Sequence, residues 1–272
     1  MNFLLIDTSY IIFYRYYALI QWWKLAKKDI VLPNNPYESS EFVEKFIKLF
    51  LEQINIIKKK LKIHKEECTV IAARDCPRKE IWRNELFPQY KESRYKDDAF
   101  MGGEFFKLVY TNNLLEKAGV EYIFKYDKLE ADDIIAIIKN YIRKKYPQAN
   151  IYIITNDQDY LQLSDENTKI FNLQFKNLQE NKKVFAEAEK NLFYKIVLGD
   201  KSDCIPPILF GCGPKTCETY YKNQELFLKV LEKTEGAKEK YNLNKKLVDF
   251  NEIPNHLIEE FINTFKIKLN SL

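Results

Sequence analysis

Leu129-Glu130-Ala131-Asp132-Asp133-Ile134-Ile135-Ala136-Ile137-Ile138 packs three carboxylates into four residues and follows them with an almost wholly apolar run. From Ile134 to Tyr141 apolar residues fall on nearly every helical face, the pattern of a helix pressed into a core. Glu130 and Asp133 share one face of that helix, with Asp132 one step round. A single acid in a first turn is an ordinary complement to the helix dipole. Three together at the edge of a buried helix repel one another and call for a cation.

Other acids point to the same place. Phe3-Leu4-Leu5-Ile6 reads as a short buried strand ending at Asp7-Thr8-Ser9, and Thr69 to Ala73 as a second, ending at Arg74-Asp75. Val120 to Phe124 reads as a third, leading to Glu130, and Ile151 to Thr155 as a fourth, ending at Asn156-Asp157-Gln158-Asp159. A long helical segment spans about Tyr37 to Leu61. Short apolar strands alternating with helices predict an α/β fold with a mostly parallel central sheet flanked by helices. Ligands of such sheets bind outside the carboxyl ends of the strands. Asp7, Asp75 and Asp157 each follow a strand closely, and Glu130 follows one after a short loop. Surface loops account for any one of these acids, but poorly for all of them.

After Phe185 the pattern turns helical, so residues 1–184 read as the α/β core and 185–272 as a helical C-terminal subdomain. The segment Leu192 to Leu198 ends at Gly199-Asp200-Lys201-Ser202-Asp203, adding two more acids and an exposed-type lysine, Lys201. Gly211-Cys212-Gly213-Pro214-Lys215-Thr216 reads as a tight turn entering a helix, with backbone N–H groups free for a phosphate. The tail from Tyr241 has two amphipathic segments broken by Pro254.

Between Asp75 and Gly103, Arg78, Lys79, Arg83, Lys91, Arg94 and Lys96 interleave with Trp82, Phe87, Tyr90 and Tyr95. Cations offer charge to phosphates and flat rings offer stacking faces to bases. Five acids are mixed in, so this stretch gains weight from the acidic hole beside it.

Composition narrows the class. Of 272 residues, 46% are hydrophobic and 15% aromatic, ample for a core. No apolar run approaches the roughly 20 residues of a membrane span, and the N-terminus lacks a signal-peptide pattern. The expectation is a cytoplasmic protein, or one of host-cell cytoplasm if viral, working as a monomer. Five cysteines without a C-x-x-C pair, and only His64 and His256, argue against zinc and against Ser-His-Asp or Cys-His catalysis. With nine acids (Asp7, Asp75, Glu130, Asp132, Asp133, Asp157, Asp159, Asp200, Asp203) set aside, the chain's net charge of +4 becomes +13. A basic body around one negative hole suits a polyanion, and the hole suits divalent ions. Hard oxygen ligands point to Mg²⁺, with Mn²⁺ as substitute. So many acids predict two ions, about 4 Å apart in sites that clamp both oxygens of a phosphodiester. The inferred chemistry is metal-assisted hydrolysis of nucleic acid.

These motifs resemble the 5′-nuclease superfamily of flap endonucleases and 5′→3′ exonucleases. They are L-I-D near the start, Arg-Asp after strand two, E-A-D-D, T-N-D-Q-D-Y and G-D-K-S-D. The W-R…Y-K-x-x-R pattern of Trp82, Arg83, Tyr90, Lys91 and Arg94, and V-D-F…I-P from Val248 to Pro254, resemble phage members, the T-even RNase H branch among them. The resemblance implies a PIN-like core with a helix–turn–helix-type DNA-binding motif in the C-terminal subdomain. Asp7, Asp75, Glu130 and Asp132 would hold the catalytic ion, and Asp133, Asp157, Asp159, Asp200 and Asp203 would hold or flank the second. Arg83 and Lys91 would contact the scissile phosphate, with Tyr90 stacking on the terminal base. About 83–103 would form an arch or clamp admitting a 5′ strand.

Duplex contacts would come from Arg78, Lys79, Trp82, Arg94, Lys96, Lys201, Gly211, Gly213, Lys215 and Thr216, with a potassium ion at the helix–turn–helix turn. The family pattern there is I-P-G-x-x-G-I-G, whereas Ile205 to Gly213 has Pro207 for a glycine and one extra residue before Gly211. Implied partners are duplexes with a 5′ flap, nick or RNA primer, and single-strand-binding or replication proteins. Two other readings stand beside this one: a PIN-type ribonuclease, and a catalytically inert binder of DNA structures. An aspartyl phosphatase would want an acid where Ser9 stands.

Overall fold

A computed structural model of the 272-residue chain describes residues 1–93, 100–181 and 184–269, with side chains through Lys266. Its sheet strands are β1 (Asn2–Asp7), β2 (Cys68–Ala73), β3 (Tyr122–Phe124), β4 (Asn150–Ile154) and β5 (Thr168–Phe171). They lie in the order β3-β2-β1-β4-β5, every pair parallel. The helices in the first half are α1 (Thr8–Ala26), α2 (Ser40–Lys60), α3 (Arg83–Leu86), α4 (Gly103–Thr111), α5 (Leu114–Lys117) and α6 (Ala131–Lys145). The second half adds α7 (Ala188–Leu198), α8 (Pro214–Lys222), α9 (Gln224–Lys233), α10 (Ala237–Val248) and α11 (Asn255–Leu269).

The parallel sheet of the sequence reading is present, and β1 shows why it forms. Its alternate side chains face opposite ways. Phe3 and Leu5 join Ile71, Ile151, Ile153 and the apolar run of α6, while Leu4 and Ile6 join Val70, Ala72 and residues of α1, α2 and α4. A strand buried on both faces needs helices on both, and so the fold has three layers. The α2 helix starts where Ser39 Oγ accepts the Phe42 N–H at 3.3 Å. It buries Phe42, Phe46, Phe50, Ile54 and Ile57 along one stripe and ends in three lysines.

The elements not read from sequence include α1 and β5. The 19 residues of α1 bury Ile11, Ile12, Tyr16, Leu19 and Trp23, yet Phe13 and Tyr17 on the other side are exposed. Apolar residues all round blur the helical period. The four residues of β5 alternate Thr168, Lys169, Ile170 and Phe171, too short a pattern to stand out.

Helices α7 to α10 carry a small core of their own, including Phe193, Val197, Ile208, Cys217 and Phe227. The last helix differs from the expected helical subdomain over 185–272. Leu257, Phe261 and Phe265 of α11 return to the main core, where Phe261 and Phe265 meet Phe124 at 5.7 and 5.1 Å between ring centres. The expected arch over 83–103 also meets a different arrangement. Its first part lies against the body: Arg83 Nε donates to the Leu247 carbonyl at 2.8 Å, and the Lys91 N–H donates to the Asp203 carbonyl at 3.0 Å. Residues 94–99, which include Arg94 and Lys96, lie outside the described residues.

The turn after α7 sets Asp200 and Asp203 in place. Asp200 and Ile205 exchange backbone hydrogen bonds of 2.9 and 2.8 Å. Gly199 enters that turn at φ +74, where a Cβ would meet the Ile205 carbonyl oxygen at 2.4 Å. Both the left-handed backbone and the contact select glycine. Gly199→Ala is expected to destabilise the protein by about 1–3 kcal/mol, read as a lower midpoint of urea unfolding.

Candidate metal centre

β1 pairs in parallel with both β2 and β4, Asp7 lying opposite Ala73 and Ile6 opposite Ile154. The residues that follow each strand therefore leave the sheet at one edge. Asp7 both ends β1 and caps α1, accepting the Tyr10 N–H at 3.0 Å. Its other oxygen accepts the Tyr160 hydroxyl at 3.2 Å and the Thr155 hydroxyl at 3.4 Å. Exposed Asp75 accepts the Ser9 hydroxyl at 2.6 Å and the N–H of Ala131, first residue of α6, at 2.9 Å. Asp157 starts the turn after β4 by accepting the Asp159 N–H at 2.9 Å.

Two groups of acids stand closer still. Carboxylate oxygens of Glu130, Asp132 and Asp133 lie within 4.8 Å of one another, and so do those of Asp159, Asp200 and Asp203. Lys91 bridges the groups, its ammonium 2.6 Å from Glu130 and 3.9 Å from Asp203. Lys195, on α7, pairs with Asp159 and with Asp200, the latter at 2.7 Å. A cleft of about 740 Å³ opens beside the second group, lined by Asn156, Asp157, Tyr194, Lys195 and Asp200 among others.

Asp133, expected to hold or flank the second ion, already has partners within the fold. It is fully buried, and the Arg83 guanidinium grips both its oxygens, at 2.8 and 2.7 Å. The Trp82 indole N–H and the Glu130 N–H also donate to it, at 3.0 and 3.2 Å. Arg83, expected at the scissile phosphate, is only 1% exposed and also reaches Glu130 at 3.1 Å. The rings of Trp82 and Tyr90 lie 4.6 and 5.9 Å from its guanidinium carbon. Trp82 and Tyr90 are buried as well, with the Tyr90 hydroxyl donating to Glu130 at 3.2 Å. A buried carboxylate pair needs buried cations and donors, and these three residues supply them here instead of facing a nucleic acid.

The charges divide the acids. Burial and the neighbouring Asp75 push the Asp7 carboxyl from 3.8 up to about 7, with Asp157 adding to the rise. Burial also raises Asp132 well above its usual range, reinforced by Glu130 and Asp133. Burial and Asp157 raise Asp159 even with Lys195 beside it. Burial also works against ionised Glu130, but Lys91 and Arg83 more than offset it and hold that carboxyl below its usual range. Lys195 likewise overcomes the burial of Asp200 and brings it down to about 2. The donors are oxygen-only, with no imidazole or thiolate in either group. Part of the set is too crowded to ionise together without further positive charge. That chemistry fits hard divalent cations.

The sequence over residues 2–190 matches the family described as 5′-3′ exonuclease, N-terminal resolvase-like domain. The chain belongs to that family. It is 29% identical over 213 residues to a 5′-3′ exonuclease of Mycoplasmopsis pulmonis, covering 70% of this chain and 67% of that one. It is 27% identical over 252 residues to DNA polymerase I of Deinococcus radiodurans, covering 91% of this chain but only 24% of the polymerase. Among solved structures, the T5 5′-exonuclease with divalent metal ions (zinc) bound has the same fold, with a TM-score of 0.66 at 17% identity over 99% of both chains. The bacteriophage T5 flap endonuclease, in a pseudo-enzyme–product complex with DNA and metal ions, gives 0.64 at 17% identity, covering 98% of this chain and 99% of that one.

In this family member, the expected nucleic-acid contacts fall in two places. Arg78 and Lys79 are exposed in the turn after Asp75. Lys201, Gly211, Lys215 and Thr216 are exposed and Gly213 half-buried around the entry to α8, where Gly211 has φ +70 and Gly213 caps the helix. Phe210, which the sequence reading passed over, stands fully exposed at that turn. Lys195, Tyr160, Thr155 and Ser9 were also passed over. Their types are unremarkable in sequence, and only their contacts with the acids mark them out.

Two outcomes follow. Arg83→Met should cost about 3–5 kcal/mol by stranding Asp133 and Glu130, measurable by urea unfolding, and Arg83→Met with Asp133→Leu should recover much of that loss. In EDTA, Asp7 binds its proton more tightly folded than unfolded. Its stabilisation is therefore complete below about pH 4 and lost as pH rises through about 7. Asp7→Asn should thus melt close to the parent at pH 4 and above it at pH 8, by roughly 2–4 °C per kcal/mol gained. Mg²⁺ should raise the parent's melting temperature at pH 8 more than the variant's.

Proposed function

We propose that this chain is a structure-dependent 5′-nuclease, both 5′→3′ exonuclease and flap endonuclease. It hydrolyses phosphodiester bonds near 5′ ends of DNA or RNA–DNA duplexes, with a place in RNA-primer removal or repair. The observation that carries the reading is the pair of acidic groups at one sheet edge, bridged by Lys91, in a chain of the 5′-3′ exonuclease family. The names of the Mycoplasmopsis relative and the T5 structures support it.

Asp7, Asp75 and Asp132, backed by Glu130, would hold one Mg²⁺, and Asp157, Asp159, Asp200 and Asp203 a second. Bound there, divalent ions supply Lewis acidity that makes water nucleophilic near neutral pH and neutralises charge building on the phosphodiester. The side chains set the geometry. Tyr160 and Thr155 orient Asp7, and Ser9 and the start of α6 orient Asp75. Arg83 and Tyr90 act through Glu130 and Asp133 as positioning residues. Among the described residues of this segment, Lys91 is the cation best placed to turn from Glu130 to a phosphate oxygen, since its ammonium lies between the two acidic groups. Exposed Phe210, Lys215 and Thr216 at the entry to α8, with Lys201, would grip the duplex away from the cut.

The test uses a 5′-flapped and a nicked duplex, labelled at either end, with Mg²⁺ or EDTA. Short 5′ products are expected with Mg²⁺ only, and Asp132→Asn should cut at least about 10³-fold more slowly while binding the duplex in EDTA as the parent does. Binding without cutting by the parent under Mg²⁺ and Mn²⁺ would instead mark an inert structural binder. Lys91→Ala should slow single-turnover cleavage by about 10²-fold with a much smaller loss of duplex affinity. An unchanged rate would remove Lys91 from the chemistry.

A further inference from the structure

The α6 helix begins at the carboxylates and ends, about 22 Å along its axis, beside a second feature. A cavity of about 560 Å³ lies between α6 and α11. Buried Ile137, Phe250 and Ile253 form its floor. Its walls are half-buried: Tyr141, one turn past Ile137 on α6, faces Ile258 and Ile262, one turn apart on α11. Each helix thus offers an i, i+4 apolar pair to the same space. Lys144, Lys145 and Lys266 stand exposed on its rim, and among the described residues no carboxylate lines it.

We infer that this groove docks an acidic peptide segment of a partner protein, one that presents apolar side chains at helical spacing and carboxylates beside them. A buried apolar floor between half-buried isoleucine walls makes the concave site that an amphipathic segment fills. The charge on the rim is complementary to carboxylates: Lys145 lies 5.2 Å over the Tyr146 ring and Lys266 6.0 Å over the Tyr141 ring, contacts that leave their charge without a carboxylate among the described residues. Lys139 on the neighbouring face of α6 pairs with Asp165 at 3.0 Å, whereas among the described residues Lys144, Lys145 and Lys266 form no ion pair. Basic residues also suit the last turn of a helix. Here, though, those of two helices converge on one apolar hollow. A nucleic acid fits it less well, because bases stack on flat aromatic faces. The one aromatic wall, Tyr141, already meets Phe265 edge-on at 5.3 Å.

Docking here is separate from the nuclease chemistry, so cleavage serves only as a control. The probe is a fluorescein-labelled peptide with leucines at i, i+4 and i+7 next to a run of aspartates, titrated with the full chain by fluorescence anisotropy. Saturable binding is expected, lost when the aspartates become lysines. It should weaken by about tenfold or more in Ile258→Asp and in the double variant Lys145→Glu with Lys266→Glu. Flap cleavage and melting temperature should stay as in the parent. If Ile258→Asp melts lower, the charge-reversal pair alone decides. Absence of saturable binding, or binding indifferent to these substitutions, would overturn the proposal. So would a parallel fall in duplex affinity of the charge variants, which would make the rim a nucleic-acid contact. A concentration-dependent dimer abolished by Ile258→Asp would assign the groove to a second copy of the chain.

Discussion

Arg83 is the cation on which the acidic edge depends. It is buried, forks onto both oxygens of Asp133 and reaches Glu130. Without it α6 could not start with three carboxylates against an apolar core, because ionised acids in a low-dielectric site repel and their desolvation goes uncompensated. Lys91 and Lys195 extend the same principle outward. Glu130 and Asp200, which have such cations, are held below their usual range, whereas Asp7 and Asp132 are pushed up. The protein thus neutralises its structural acids internally and leaves a remainder that only added positive charge can satisfy. That remainder has the chemistry that the proposed divalent ions would meet.

The site is completed by parts of the chain far apart in sequence. The family match ends at residue 190, yet the second acidic group needs Asp200 and Asp203. Their position is fastened by backbone: the Lys91 N–H on the Asp203 carbonyl, and the Asp200–Ile205 exchange behind Gly199. Buried Asn244 on α10 donates to the carbonyls of Ile196 and Pro206, at 2.9 and 2.8 Å. Arg83 Nε on the Leu247 carbonyl ties the same helix to the acids. The C-terminal helices are therefore part of the framework that holds the acidic groups. Opposite demands meet on α6, whose first turn faces the acids and whose last turn rims an apolar groove.

Much of this was legible in the sequence because its signals are local. Two-sided burial wrote β1, β2 and β4 as apolar runs, and acids just past such runs had one edge of a parallel sheet to occupy. The E-A-D-D and G-D-K-S-D motifs marked the two groups of acids. Legibility failed where one residue type serves two purposes. Arg83, Trp82 and Tyr90 look like nucleic-acid contacts, since cations and rings side by side suit phosphates and bases. They suit a buried carboxylate pair equally well, and the sequence carries no mark of which side of the chain faces the solvent. The α1 helix was hidden for a related reason, with Phe13 and Tyr17 outside and Tyr16 and Trp23 inside.

The sequence by itself determined the parallel sheet, its carboxylate edge and the oxygen-only donor set, because these follow from residue type and from spacing along one strand or one helical turn. The tertiary structure alone decided which acids are already neutralised. Asp133 is taken by Arg83 across fifty residues, and Asp159 and Asp200 share Lys195 from α7. It also decided that α11 returns to α6 to form the lysine-rimmed groove. Coulomb forces and desolvation act through space, so pairings of that kind exist only once the chain has folded.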